Sequence, residues 1–179
     1  MNIGLARHFQ IPHAKATWMN GSAFEKWSEW YDETEVHARD IPKAGKTWSK
    51  CYCSNLPRAK FTSQWLFEGE IEFTPILREV PYTNFLPRPI PFPLFMWTSM
   101  SRLSWYINHP WQNENRSATE KRVREFVDSI LLKHGNAEEI LVVSHGFLMQ
   151  YLQRELHRRG FTGKVPVRPT GGIIYKFEN

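Results

Sequence analysis

Cysteine is scarce in this chain: of 179 residues only Cys51 and Cys53 are cysteine. Two are too few for the disulfide framework of a small secreted domain. With no second pair, they cannot complete a zinc site either. Two residues apart on a strand they would face the same way, as reduced thiols. Long apolar runs are also missing. No stretch approaches the roughly 20 residues that span a bilayer. The segment from Met1 to Arg7 is too short, and too soon interrupted by charge, for a signal peptide. Internal repeats and low-complexity tracts are absent. With 41% hydrophobic and 23% charged residues, the composition is that of a folded domain and excludes disorder and collagen-like repeats. These absences point to a cytoplasmic protein with no membrane partner. A chain of this length can bury a full core without staples, so a single domain over residues 1–179 is expected.

Positive charge is in excess: 23 Lys and Arg against 18 Asp and Glu give a formal +5. That balance favours anionic partners, whether phosphate esters, nucleic acid or an acidic protein, without choosing among them. Arg154, His157, Arg158, Arg159 and Lys164 form a basic run. A nucleic-acid role would need that run to join an aromatic platform, and the sequence shows none, so no nucleic-acid partner is expected. His13, His37, His109, His134 and His157 are scattered and read as exposed, with His13 the nearest to the first strand end.

The pattern alternates strand and helix. Ile3-Gly4-Leu5-Ala6 is a short apolar run ending abruptly at Arg7-His8, as a buried strand would. Ser22 to Glu25 has the spacing of a capping box ahead of a helix over 23–36. Lys50 to Ser54 reads as a strand. Pro57 suits the first turn of a helix reaching about Phe67, with Ser54 or Asn55 as its cap. Ile71 to Thr74 is a third strand. Five prolines between Pro81 and Pro93, at 81, 87, 89, 91 and 93, forbid a regular element. A helical excursion over 94–107 follows. Ser117 to Glu120 forms a second capping box. Val123, Phe126, Val127, Ile130 and Leu131 then mark an amphipathic helix that ends at Gly135. Ile140 to Val143 is the continuous apolar run of a central strand. A helix from about Phe147 to Arg159 stops at Gly160, and 172–177 make a last strand. The sum is an α/β fold, with helices on both faces of one sheet.

Two strand ends carry histidine, His8 and His145. In open α/β sheets the carboxyl ends of the strands are where ligands bind. Arg7 precedes His8. Gly146 follows His145 at a helix start, whose N–H groups suit an anion. Arg58 lies at another helix start. Two histidines and two arginines at one sheet edge would make a positive pocket fit for a phosphoryl group.

These residues resemble the histidine phosphatase superfamily, with its phosphoglycerate-mutase-like fold. Leu5-Ala6-Arg7-His8 is similar to the family's strand-one Arg-His motif. Ser54-Asn55-Leu56-Pro57-Arg58-Ala59-Lys60-Phe61-Thr62 resembles its Ser-x-Leu-x-Arg-Ala-x-x-Thr motif, Leu77-Arg78-Glu79 its acid-bearing segment, and Val142-Val143-Ser144-His145-Gly146 its Val-Ser-His-Gly motif. The resemblance implies a three-layer α/β/α sandwich with a mostly parallel central sheet. It also implies a phosphomonoesterase acting on a phosphorylated small molecule through a covalent phosphohistidine. His8 would be the nucleophile. Arg7, Arg58, His145 and Gly146 would hold the phosphoryl group, with His145 also stabilising the transition state. Glu79 would be the acid and then the base. The family's chemistry implies no metal and no cofactor.

The chain departs from the family at Phe9, where Gly is usual. It departs again over Gln10-Ile11-Pro12-His13-Ala14, which lacks the polar contacts of the mutases. That disfavours a phosphoglycerate-mutase-like phosphotransferase. A catalytically weak module that binds phosphorylated ligands is the alternative from another class. Trp97, Trp105, Tyr106 and Trp111 fall in the excursion over about 81–115, the region that covers the site in this family.

Overall fold

Apolar runs become strands, and the amphipathic segments between them become helices. The computed structural model describes residues 1–11, 18–36, 48–84, 89–134 and 138–179. The readings on His13, His37, Pro87, Gly135 and the Pro12-His13-Ala14 stretch lie outside these residues. In chain order the elements are β1 (Asn2–Arg7), β2 (Trp18–Met19), α1 (Gly21–Glu33), β3 (Lys50–Ser54), α2 (Pro57–Leu66) and β4 (Ile71–Thr74). A 3-10 turn (Pro75–Leu77) follows, then β5 (Phe92–Pro93), α3 (Leu94–Tyr106), α4 (Arg116–Lys133), β6 (Glu139–Ser144), α5 (Gly146–Arg158), β7 (Thr162–Gly163) and β8 (Ile174–Glu178).

The chain divides into two compact units. The first comprises Met1–Ile11, Glu35–Glu79 and Arg122–Asn179; the second comprises Pro12–Thr34 and Val80–Lys121. The first unit holds a six-stranded sheet in the order β4-β3-β6-β1-β8-β7. Strands β4, β3, β6 and β1 are mutually parallel; β8 runs antiparallel to both β1 and β7. The expected mostly parallel α/β sheet is therefore present, with an antiparallel strand beside β1.

Alternation along the strands divides the two faces. Ala6, Cys51, Cys53, Leu141 and Val143 share one face and pack with Ala59 and Leu66 of α2. Tyr52 points to the other face, where its ring meets Phe126 of α4 edge-on at 5.7 Å. Phe177 of β8 meets His157 of α5 at 5.9 Å. Helices thus cover both sides of the sheet. The two thiols are free, and burial is the main cause that pushes Cys53 up to about 12 and Cys51 higher still. His134 is not a solvated histidine as expected. Its ring lies between the Tyr52 hydroxyl, 2.8 Å from Nε2, and the Glu138 carboxylate, 2.5 Å from Nδ1.

In the second unit, β2 and β5 form a two-stranded antiparallel ribbon. The Phe24 ring lies 5.8 Å from Trp27 and 5.2 Å from Trp97 in stacked contacts, and Trp97 Nε1 donates to the Met19 carbonyl at 2.7 Å. Trp97 and Trp105 are buried, while Tyr106 and Trp111 are exposed. Half of the expected aromatic cluster is therefore core packing.

Helix starts differ from expectation. Asn20, not Ser22, caps α1, accepting from Ala23 N at 3.0 Å. Asn115, not Ser117, accepts from Ala118 N at 3.0 Å at the start of α4. Asparagine is as strong a cap as serine, and in each case it stands two residues upstream. Leu56 is the N-cap residue of α2, without a side-chain bond. Asn55 instead accepts from Arg78 Nε at 2.6 Å. The end of α5 is as read. Gly160 has φ of 89°, and Gly160 N and Phe161 N donate back to the carbonyls of His157 and Leu156, closing a Schellman motif.

Candidate active site

Strands β1 and β6 are parallel neighbours, with Arg7 level with Ser144. The residues that follow, His8 and His145, therefore leave the same sheet edge side by side. His8 N donates to the Ser144 carbonyl at 3.0 Å, and the two ring centroids are 5.0 Å apart. The residues that make up the site belong to the first unit.

His8 is only 2% accessible, and its Nδ1 lies 2.6 Å from the Phe9 carbonyl. A carbonyl only accepts, so Nδ1 carries the hydrogen and Nε2 keeps its lone pair. Burial, then Arg58 and Arg7, lower the His8 pKa to about 3; the Phe9 carbonyl opposes them. At neutral pH the ring is uncharged, with the lone pair of Nε2 available.

His145 is fully buried and pushed well below its usual range, first by burial and then by His8, Arg58, Arg7 and Arg122. Its Nε2 lies 2.8 Å from Ser54 Oγ, which also accepts from Leu56 N at 3.3 Å. With the serine hydrogen given to Nε2, the ring hydrogen sits on Nδ1. That atom is buried and has no hydrogen-bond partner in the protein, so it is a ready donor to an anion.

Arg58, the second residue of α2, is completely buried. A cation at a helix start is poorly placed against the macrodipole, and a bound anion would relieve that misfit. One turn on, Thr62 Oγ1 donates to the Arg58 carbonyl at 2.7 Å and accepts from Phe9 N at 2.9 Å. This one hydroxyl ties α2 to the loop after His8. Arg7 Nη1 donates to the Pro169 carbonyl at 3.0 Å. Gly146 leaves room for the Arg7 side chain: a Cβ there would stand 3.3 Å from Arg7 Nε.

Glu79 lies at the start of α5. Its carboxylate accepts from Phe147 N at 3.1 Å and Leu148 N at 3.2 Å. Two of the helix N–H groups expected to face an anion are thus engaged by Glu79. Phe9 is accommodated without strain. Among the described residues Asn108 is the only non-glycine with positive φ, so the backbone at Phe9 is ordinary. Its ring is buried and meets Phe61 at 6.2 Å. No group of three or more metal-ligating side chains occurs among the described residues.

Residues 37–170 match the model of the histidine phosphatase superfamily, branch 1. The chain belongs to that superfamily. The matched span contains Arg58, Glu79 and His145, whereas Arg7 and His8 precede it. It is the pairing of β1 with β6 that sets the Arg-His pair beside His145. No curated protein sequence matches the chain. Among solved structures, a mutant phosphoserine phosphatase from Entamoeba histolytica bound to phosphoserine is 15% identical with a TM-score of 0.60, over 98% of this chain and 89% of that one. A mycobacterial hydrolase is 17% identical with a TM-score of 0.59, over 98% and 80%. A mycobacterial glucosyl-3-phosphoglycerate phosphatase is 16% identical with a TM-score of 0.56, over 93% and 81%. At such identities the likeness is one of fold.

Sequence reasoning gave Ser54 no role beyond a candidate helix cap and Thr62 none, although both stand inside the motif around Arg58. It also read Gly172 only as the start of a strand. In the histidine phosphatase fold of this chain, Gly172 N donates to the Arg7 carbonyl at 2.8 Å, and Gly171 packs against the backbone of His8 to Gln10. The Gly171-Gly172 doublet was the available signal.

The buried histidines make stability depend on pH. Between about 3 and 6.5 the unfolded chain binds a proton at His8 that the folded chain does not. The stabilisation is therefore complete above pH 6.5 and is lost as pH falls toward 3. His145 adds in the same direction. Urea titrations at pH 6.5 and pH 5 should show a loss of about 2 kcal/mol from His8 alone, and a shallower slope in His8→Gln. Equal slopes in the two proteins would contradict the assignment.

Proposed function

We propose that this histidine phosphatase hydrolyses monoesters of small phosphorylated molecules through a phosphohistidine on Nε2 of His8. The observation that carries the reading is the His8 ring itself. Its Nδ1 is tied to the Phe9 carbonyl, its Nε2 is left available, and the ring is held uncharged beside Arg7 and Arg58. The substrate class is supported by phosphatases of the same fold, one of them solved with phosphoserine.

In the first step Nε2 forms a bond to phosphorus as the bond to the leaving oxygen breaks. Arg7, Arg58 and Nδ1 of His145 hold the three other phosphoryl oxygens, where negative charge is spread. Glu79 gives its proton to the leaving oxygen. The ring becomes cationic on phosphorylation, and the Phe9 carbonyl then accepts from a charged Nδ1–H. In the second step water attacks phosphorus, Glu79 takes its proton, and the N–P bond breaks to release inorganic phosphate. Two moderate barriers replace one large barrier. Two guanidinium groups supply the positive charge, so no metal is required.

The test is hydrolysis of p-nitrophenyl phosphate with and without chelator, together with trapping of label from a radioactive phosphate ester. Turnover should survive chelation. It should fall at least about 10³-fold in His8→Ala, and label should attach to His8 as an acid-labile, base-stable bond. Full activity in His8→Ala, or loss of activity on chelation, would overturn the reading. Phosphate binding without turnover in the wild type would favour a binding module.

A further inference from the structure

Glu79 stands at the end of an irregular segment. The 3-10 turn ends at Leu77, and Arg78 and Glu79 belong to neither helix nor strand. Such a segment has no ladder of backbone bonds to fix it, so its carbonyls must find other partners. They find them in order. Arg122 Nη1 donates to the Ile76 carbonyl, and Nη2 donates to the Arg78 carbonyl at 3.0 Å. Between them the Leu77 carbonyl accepts from Ser144 Oγ at 2.9 Å. Three consecutive carbonyls are thus engaged by side chains of α4 and β6. The next residue is Glu79, whose carboxylate spans Phe147 N and Leu148 N.

We propose that Arg122 is a positioning residue for Glu79: its guanidinium bridges the carbonyls of Ile76 and Arg78 and so sets the height at which the Glu79 carboxylate meets the start of α5. A planar fork with several N–H donors can hold two carbonyls at once in fixed geometry; an ammonium group cannot do so in the same way. Arg122 sits on α4, which packs on the sheet through Phe126 and Tyr52. The clamp is therefore anchored to the core and not to a loop. Arg122 also stands near enough to His145 to oppose its protonation, which places the clamp at the same sheet edge as the proposed chemistry.

The inference rests on the reading of Glu79 as the acid, and its test keeps the two apart. Kinetically, an acid that protonates the leaving oxygen matters most for a poor leaving group. Glu79→Ala should lose about 10²-fold or more on an alkyl phosphate and much less on p-nitrophenyl phosphate. Arg122→Ala should show the same split, losing at least about 10-fold more on the alkyl ester. Arg122→Lys should fall between wild type and alanine. Independently of activity, amide hydrogen exchange at Phe147 and Leu148 should quicken in both Arg122→Ala and Glu79→Ala. Equal losses on the two esters with unchanged exchange at these amides would overturn the proposal. If the wild type hydrolyses neither ester, the acid role of Glu79 fails, and exchange alone decides the clamp. Quickened exchange in Arg122→Ala, or in Arg122→Lys should the alanine variant not fold, then supports it; unchanged exchange removes it.

Discussion

Arg58→Ala is expected to lower kcat/KM for a phosphate monoester by about 10²–10³-fold, the cost of removing one donor aimed at developing charge. Two effects combine. The phosphoryl group loses a cation from a fully buried position, where charge is worth more than in water. The proposed nucleophile also changes, because Arg58 is the largest electrostatic cause that holds His8 at about 3. Without it the ring is protonated more readily, so the acid limb of the rate profile moves toward neutral pH. Arg58→Lys should keep that limb nearer its original place while recovering only part of the rate, since it restores charge but not the fork. Initial rates between pH 4 and 9 for the three proteins decide the matter. A change below threefold, with no movement of the limb, would remove Arg58 from the phosphoryl site.

Gly171→Ala is expected to damage both stability and rate. A Cβ at Gly171 would stand 2.6 Å from the His8 carbonyl oxygen and 2.9 Å from Gln10 N and Phe9 Cα. All three are backbone atoms, so none can rotate away. Either the returning chain or the His8 loop must shift, and overpacking of this kind costs about 1–3 kcal/mol. A shift at His8 also spoils the line of attack, so kcat should fall by about 10-fold or more. Gly146→Ala is the control for stability alone. There the nearest neighbour is the flexible Arg7 side chain at 3.3 Å, and alanine favours the helix. Its stability should change by less than about 1 kcal/mol. Urea unfolding of both variants and steady-state kinetics of Gly171→Ala make the comparison. A Gly171→Ala protein as stable and active as wild type would show that the loop after His8 can move freely.

The strands and most helices were legible in the sequence, because an apolar run broken at Arg7-His8 or Ser144-His145 marks a strand end. That β1 and β6 are neighbours was not legible from the runs themselves. Parallel pairing joins segments about 137 residues apart and leaves no local signature. Two-residue strands such as Trp18–Met19 and Thr162–Gly163 carry no period and were missed. The capping boxes at Ser22 and Ser117 were outcompeted by Asn20 and Asn115, since adjacent polar residues offer the same bond and spacing cannot choose between them. Phe9 looked like a defect when only the glycine preference was known. With an ordinary backbone angle, a side chain there costs nothing in conformation and packs on Phe61. Thr62 and Gly171 were opaque for a common reason. Their value lies in contacts to the His8 loop from distant parts of the chain.

The two thiols of β3 have one further consequence. The reactive form of cysteine is the thiolate. With Cys53 at about 12 and Cys51 above it, only about one molecule in 10⁵ carries either anion at neutral pH. Peroxide and disulfide exchange therefore find almost nothing to attack in the core beneath α2. The groups gathered at the sheet edge are imidazole, guanidinium, hydroxyl and carboxylate, none of which cycles between oxidised and reduced states. With so little thiolate, the β3 thiols are poor targets for oxidants around the protein.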